Sequence, residues 1–262
     1  MNLTQFSDFT HNIALLLSLG LLYDMVISNK RRKHYITQKT ITGLVLTFIG
    51  IILMSTPWEF SPGYFFDPRT VLMSISGLFF GYIPTGIGVT FLIIFRIYQG
   101  GGGVIPGILW ILISASSGLL WKKIRPYKNK PYSFWELFIF GIIIHIAALL
   151  TLFTLPLPTA LSILSNVTLP ILLFFPLGTA ILGLVLSDRK ERKKAEIQVT
   201  RLATVIEQLN EKVIITDLDG YPQYLNHYFE TSTGYTISEI IGQKLGNLKS
   251  GYHEKIFYDD LW

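Results

Sequence analysis

Two arginines and a run of four glycines interrupt membrane-grade sequence between Phe66 and Gly107, in FDPRTVLMSISGLFFGYIPTGIGVTFLIIFRIYQGGGGVIPG. An arginine at membrane depth costs at least a few kcal/mol unless it reaches water, a partner or an anion. Arg69 and Arg96, beside Gly100, Gly101, Gly102 and Gly103, therefore mark a place where something negatively charged is held. A planar guanidinium holds a carboxylate through two parallel hydrogen bonds, which an ammonium cannot do. Asp67 is placed to orient Arg69 or to pair with Arg96, and glycine amides nearby are further donors. Against this stand plainer readings. Each arginine can snorkel from an outer interface, Asp67 can cap a helix from 70, and the glycines can form only a flexible hairpin. Both arginines emerge on one predicted side, which favours a shared pocket opening outward.

The elements that must position these residues are apolar segments at 12–28, 40–56, 70–83, 85–98, 104–121, 134–153 and 169–187. A relaxed span needs about 20 apolar residues, so the third and fourth fall short. Two short spans or one re-entrant pair are both open. Pro84 and Pro106 mark segment ends. Gly77 with Gly81, and Gly86 with Gly88, fit close helix packing through small residues.

Half of the residues are hydrophobic and 15% are charged, below the usual quarter for soluble domains. The chain reads as a mainly α, polytopic membrane bundle. Its net charge of +5 is concentrated beside apolar segments, at Lys30–Lys33 with Lys39, at Lys122, Lys123, Arg125, Lys128 and Lys130, and at Arg189–Lys194. That distribution reports topology rather than nucleic-acid binding. The opposite side holds 57–69, 99–103 and 154–168, whose one Lys or Arg is Arg69. The C-terminal portion is thus predicted to be cytoplasmic and the N-terminus outside. Trp58 is expected at the outer boundary, and Trp121 and Trp135 at the inner one. The stretch Ile13–Ile27 reads as a retained span, because its basic cluster follows instead of preceding it. Asp24 near its inner end is expected to pair with that cluster.

Beyond Ser187, residues 188–210 are polar and helix-forming. Ala195, Val199, Leu202, Ile206 and Leu209 step by four, three, four and three, a heptad seam suited to a parallel homodimer or to packing on the next domain. Val213–Thr216, the turn Asp217-Leu218-Asp219-Gly220 and Tyr221–Leu225 read as a hairpin. Asn226 is a predicted N-cap for a helix through Thr231, with Gly234 ending it, and Ser238–Gly242 reads as another turn of helix. The Asp217–Gly220 turn is not read as a calcium loop. His145, inside an apolar span, is expected to be a hydrogen-bonded packing residue. There is no cysteine, no metal-ligand spacing, no nucleotide loop or catalytic triad, and no cofactor signature.

Asp67-Pro68-Arg69 at a span start, Gly77 to Gly81, Arg96 and Gly100 to Gly103 resemble the LytS/YhcK-type five-transmembrane receptor region of bacterial sensor proteins, over roughly 10–187. The resemblance implies a plasma-membrane input domain, with arginines equivalent to Arg69 and Arg96 holding small carboxylates such as pyruvate. Where those relatives have small polar side chains, this chain has Gly107 and Trp110, which puts pyruvate itself in doubt. The segments EKVIITDLDGYPQYLN, Tyr228-Phe229, TGYTISEIIGQ and LKSGYHEKIFYDDLW look like the first half of a PAS domain. The resemblances imply a longer sensor whose output domain is a histidine kinase or a diguanylate cyclase, with control of cell-wall organisation by family association. The expected organisation is a receptor region at 1–187, a coiled-coil-like linker at 188–210 and a partial α+β PAS domain at 211–262. The expected function is sensory input within a two-component system or cyclase. A transporter component is the alternative, supported by short Pro/Gly-broken spans and buried arginines.

Overall fold

The computed structural model describes residues 35–61, 63–125, 130–244 and 256. The stretch Ile13–Ile27, Asp24, the cluster Lys30–Lys33, Lys128, the Trp58 side chain and nearly all of 248–262 lie outside that description. The chain forms two compact units, Met1–Glu191 and Arg192–Trp262.

In the first unit, helix α1 (Tyr35–Ser55) leads into a hairpin of β1 (Trp58–Ser61) and β2 (Tyr64–Phe66). Helix α2 (Arg69–Ile75) continues through a π-helical turn, Ser76–Phe80, and is followed by α3 (Tyr82–Gln99), α4 (Val104–Ile124) and α5 (Phe134–Leu150). A 3-10 turn at Thr151–Thr154 precedes α6 (Leu157–Glu207). Among the described residues, five helices are long and apolar enough to cross a membrane, and Arg69–Phe80 is a shorter apolar helix. The mainly α, polytopic character read from composition is what the fold shows.

Contacts order the two ends of the bundle. At one end, the Lys39 ammonium donates to the Phe80 carbonyl at 2.7 Å, and the Tyr132 amide donates to the Ser187 hydroxyl at 3.0 Å. Arg125 pairs with Glu136 at 2.6 Å and lies over the Tyr132 ring at 3.9 Å. Basic residues gather at this end, together with Trp121 and Trp135. At the other end, the Gln99 side chain donates to the Met54 carbonyl at 2.7 Å. The segment Arg69–Phe80 therefore reaches the basic end at Phe80 and is not an arm of a re-entrant pair. Its length from Arg69 to Phe80 is only about 17 Å by helical rise, well short of a core of about 30 Å. With Phe80 at the basic end, Arg69 and the hairpin before it lie within the bundle rather than beyond it. Non-helical backbone is tolerated at such depth where protein encloses it.

The helices approach through small residues, as membrane packing requires. A methyl group at Gly118 of α4 would sit 2.1 Å from the Ser74 carbonyl oxygen of α2, and one at Gly141 of α5 would sit 2.7 Å from the Pro176 Cα of α6. Gly77 faces α4 as the packing reading expects, with the Ala115 carbonyl oxygen 2.7 Å from its Cβ position, whereas nothing lies near the Gly86 position. Because backbone cannot swing aside as a side chain does, Gly118→Ala is expected to lower stability by about 3 kcal/mol, the upper range for an overpacked core. Unfolding in mixed detergent micelles checks this against Gly86→Ala, which should be near neutral.

One expectation fails here. The region 154–168 is not an interval between spans, because α6 begins at Leu157. Pro158 occupies the second helical position, where the absent N–H is not missed. Pro170 and Pro176 then lie inside the helix without ending it, as neighbouring helices permit in membranes.

In the second unit, β3 (Ile214–Thr216) and β4 (Pro222–Leu225) pair antiparallel, with Ile214 opposite Leu225 and Ile215 opposite Tyr224. Asp217 Oδ1 accepts the amides of Asp219 at 3.1 Å and Tyr221 at 2.8 Å, which makes the turn self-supporting without a cation. Asn226 is buried and caps α7 (His227–Thr233) by accepting from the Phe229 amide at 3.1 Å. The same side chain accepts from the Val213 amide and donates to the carbonyls of Ile206 and Glu211. Helix α8 (Ile237–Ile240) completes this unit's described elements.

Candidate functional site

The turn at Gly63, the start of α2, the end of α3 and the glycine run meet at one place. Asp67 closes the hairpin onto α2, its Oδ1 accepting the Arg69 amide at 3.0 Å. Its other oxygen pairs with Arg69 Nη2 at 2.8 Å, with both side chains buried. Of the roles read from sequence, Asp67 thus orients Arg69 and at the same time holds the start of the helix. Arg69 Nη2 also lies 3.5 Å from the Phe65 carbonyl oxygen.

Arg96 comes from the last turn of α3 and donates from Nη1 to the Gly100 carbonyl at 2.8 Å. Its guanidinium carbon lies 5.4 Å from the centre of the Phe65 ring. Phe65 thus meets one arginine with its carbonyl and the other with its ring. Neither arginine snorkels: Arg69 is 2% exposed and Arg96 1%.

The glycine run is a docking surface for the hairpin rather than a flexible loop. The Gly103 amide donates to the Gly63 carbonyl at 3.3 Å. Gly101 has a φ of +88°, and a methyl group there would sit 2.7 Å from the Gly63 Cα. One at Gly102 would sit 2.6 Å from the Tyr64 hydroxyl, and one at Gly107 would sit 2.6 Å from Arg96 Nε. The expectation of glycine amides as ligand donors changes for two of the four. The amides of Gly100 and Gly103 are already committed, to the carbonyls of Ile97 and Gly63. Gly100 supplies a carbonyl that aims Arg96, and Gly107, beyond the run, leaves space for the stem of that side chain.

The cavity beside Arg69 measures about 20 Å³ and is lined by Tyr64, Phe66, Gly103, Gly107, Trp110 and Leu152 among others. That is room for about one water. Inside the shell, three buried guanidinium nitrogens have no hydrogen-bond partner among the described residues: Arg69 Nε, Arg69 Nη1 and Arg96 Nε. Among the described residues, Arg69 pairs with Asp67 and Arg96 forms no salt bridge. Among the described residues, two buried cations thus face one buried anion at the site. Buried donors of this kind each cost about 1–3 kcal/mol, and more when charged.

The family model described as 5TMR of 5TMR-LYT matches residues 21–189. The chain belongs to the 5TMR-LYT family. Neither a curated protein nor a solved structure matches it. This 5TMR-LYT region makes the chain a multi-pass membrane protein whose membrane part is a sensory input module of signalling proteins.

Several residues of the 5TMR-LYT site were not legible in advance. Tyr64, Phe65 and Phe66 reach it through a hairpin whose sequence signal is Pro62-Gly63, a turn dipeptide between aromatic residues. Trp110 packs on Phe66 at 5.6 Å and donates to the Thr151 hydroxyl at 2.9 Å. Thr70, the residue after Arg69, bonds His145 Nε2 of α5 at 2.9 Å. His145 Nδ1 lies 2.7 Å from the Gly141 carbonyl, so Nδ1 carries the proton and Nε2 accepts from Thr70. The ring stands edge-on to Phe175 of α6 at 5.3 Å. The packing role expected for His145 is the one it has. Thr70→Val, which leaves a buried imidazole nitrogen without a donor, is expected to cost about 1–3 kcal/mol. Thermal unfolding should show Thr70→Ser close to wild type.

Proposed function

We propose that this chain senses a small carboxylate, captured between Arg69 and Arg96. The carrying observation is the buried Arg96 guanidinium, which has no counter-ion among the described residues while Asp67 is taken by Arg69. One monovalent carboxylate neutralises the site and can accept from the unpartnered guanidinium nitrogens through charge-assisted hydrogen bonds. Gly107 and Trp110 leave that ligand an apolar surround rather than further hydroxyls.

A cavity sized for one water does not admit even a small carboxylate, so binding selects a second arrangement in which the hairpin moves off the glycine run. A ligand shifts such an equilibrium only through its preference for one arrangement. The Arg69–Thr70 start of α2 touches His145, and His145 touches Phe175 of α6. In this reading the change reaches α6 through those contacts and continues into a cytoplasmic PAS domain from 211. An effector, a histidine kinase or a diguanylate cyclase acting on cell-wall organisation, would receive it. Val199 and Leu202 of the linker seam are 66% and 64% exposed, which suits a parallel homodimer in the plasma membrane with the N-terminus outside.

Proteoliposomes carrying the full chain test sensing against transport. Labelled carboxylate should saturate at about one per chain and remain displaceable from outside. Accumulation inside the vesicles beyond that ceiling would replace this reading with a permease.

A further inference from the structure

The opposite end of the membrane unit holds a second cationic site that the carboxylate reading does not use. A cavity of about 390 Å³ is lined by Lys39, Lys122 and Lys123, with Phe80, Tyr82 and Leu119 among its apolar walls. This lies within the range of about 300–1,000 Å³ usual for ligand pockets. The break between the π-helical turn and α3 opens it. Gly81 there has a φ of +88° and turns the chain, and Lys122 Nζ lies 3.9 Å from the Gly81 Cβ position. Lys39 is pinned to the Phe80 carbonyl at 2.7 Å, which fixes its ammonium at the rim. Lys39 of α1 and Lys190 of α6 both act electrostatically on Lys122. Among the described residues, no acidic side chain lines the cavity.

Lysines at a membrane boundary ordinarily report topology alone. This cluster differs in three respects. The lining lysines come from two helices, they enclose a volume instead of pointing separately outward, and apolar side chains share the wall. Tyr82 and Ile83 at the mouth are 72% and 42% exposed, so the opening is apolar where the charges are not. Converging ammonium groups above an apolar wall match an anionic head with a hydrocarbon tail.

We infer that this cavity binds the phosphate headgroup of an anionic phospholipid, with Lys39, Lys122 and Lys123 on the phosphate and Tyr82 and Ile83 against the acyl chains. Phosphate is the shared chemistry with a free phosphate ion, and the apolar mouth favours the lipid. The site is independent of the arginine pocket and stands whether or not that pocket binds a carboxylate.

Native mass spectrometry of the full chain, released from nanodiscs of phosphatidylcholine mixed with phosphatidylglycerol, tests it. The wild type should retain one phosphatidylglycerol in preference to phosphatidylcholine. Retention should fall about fivefold for each lysine lost in Lys39→Gln, Lys122→Gln and the double variant. Lys193→Gln/Lys194→Gln, equally basic but outside the cavity, should retain lipid as the wild type does. Glutamine keeps the stems, and thermal unfolding confirms that each variant folds. Equal retention of the two lipids, or equal loss in the Lys193/Lys194 control, would overturn the site as a specific one. Displacement of the lipid by millimolar inorganic phosphate would overturn the lipid assignment and point to the free ion.

Discussion

Arg69→Ala is expected to lower the stability of the membrane unit by about 3–5 kcal/mol, the range for breaking a buried ion pair from one side. Asp67 and Arg69 are both buried and meet at 2.8 Å, so alanine leaves a carboxylate without its cation and with no route to water. The damage spreads, because Asp67 also holds the Arg69 amide and so the start of α2. The double variant Asp67→Asn/Arg69→Gln replaces the ion pair with two neutral amides of similar size. It should recover most of the loss, since removing both partners avoids the stranded charge. Mixed-micelle unfolding reads both numbers. A snorkelling arginine would instead lose less than about 1 kcal/mol on truncation.

The neighbouring arginine is expected to behave in the opposite way. Arg96→Ala should change stability by no more than about 1 kcal/mol, because the lost bond to the Gly100 carbonyl is offset by removal of a buried cation lacking a salt bridge. Carboxylate binding, however, should fall at least about 30-fold, the lower range for removing one partner of a buried charge pair. Equilibrium dialysis with a labelled carboxylate gives this number, and Arg96→Lys should recover only part of it, since an ammonium cannot bind bidentately. The contrast assigns the roles. In the proposed reading, Arg69 would sustain the site's architecture and share in binding, while Arg96 would serve the ligand.

The pair itself was legible because two charges in lipid-grade sequence demand an explanation, whereas the glycine run beside Arg96 was read as amide donors or a flexible hairpin. What the glycines approach was not legible. Gly101 meets Gly63 and Gly107 meets Arg96, contacts between segments that carry no mutual signal in one sequence. The hairpin was missed because its strands are four and three residues long and aromatic, which reads equally as a membrane boundary. Helix α6 was begun too late because Pro156 and Pro158 stand at its start, and proline ends helices in water more often than in a packed membrane bundle. In the second unit, the Asn226 cap on α7, the Asp217–Gly220 turn and Gly234 are local features that follow the sequence reading, whereas the bonds from Asn226 to Val213, Glu211 and Ile206 were not legible. His145 was read as hydrogen-bonded, but its partner Thr70 lies 75 positions away and only the fold brings them together.

Calorimetric titration of the full chain in nanodiscs, with a panel of small carboxylates and the neutral amide of each, tests the central claim most directly. The account predicts that at least one carboxylate binds at one per chain and that its amide, equal in shape but uncharged, does not bind measurably. Equal binding of acid and amide, or binding by no carboxylate in the panel, would contradict it.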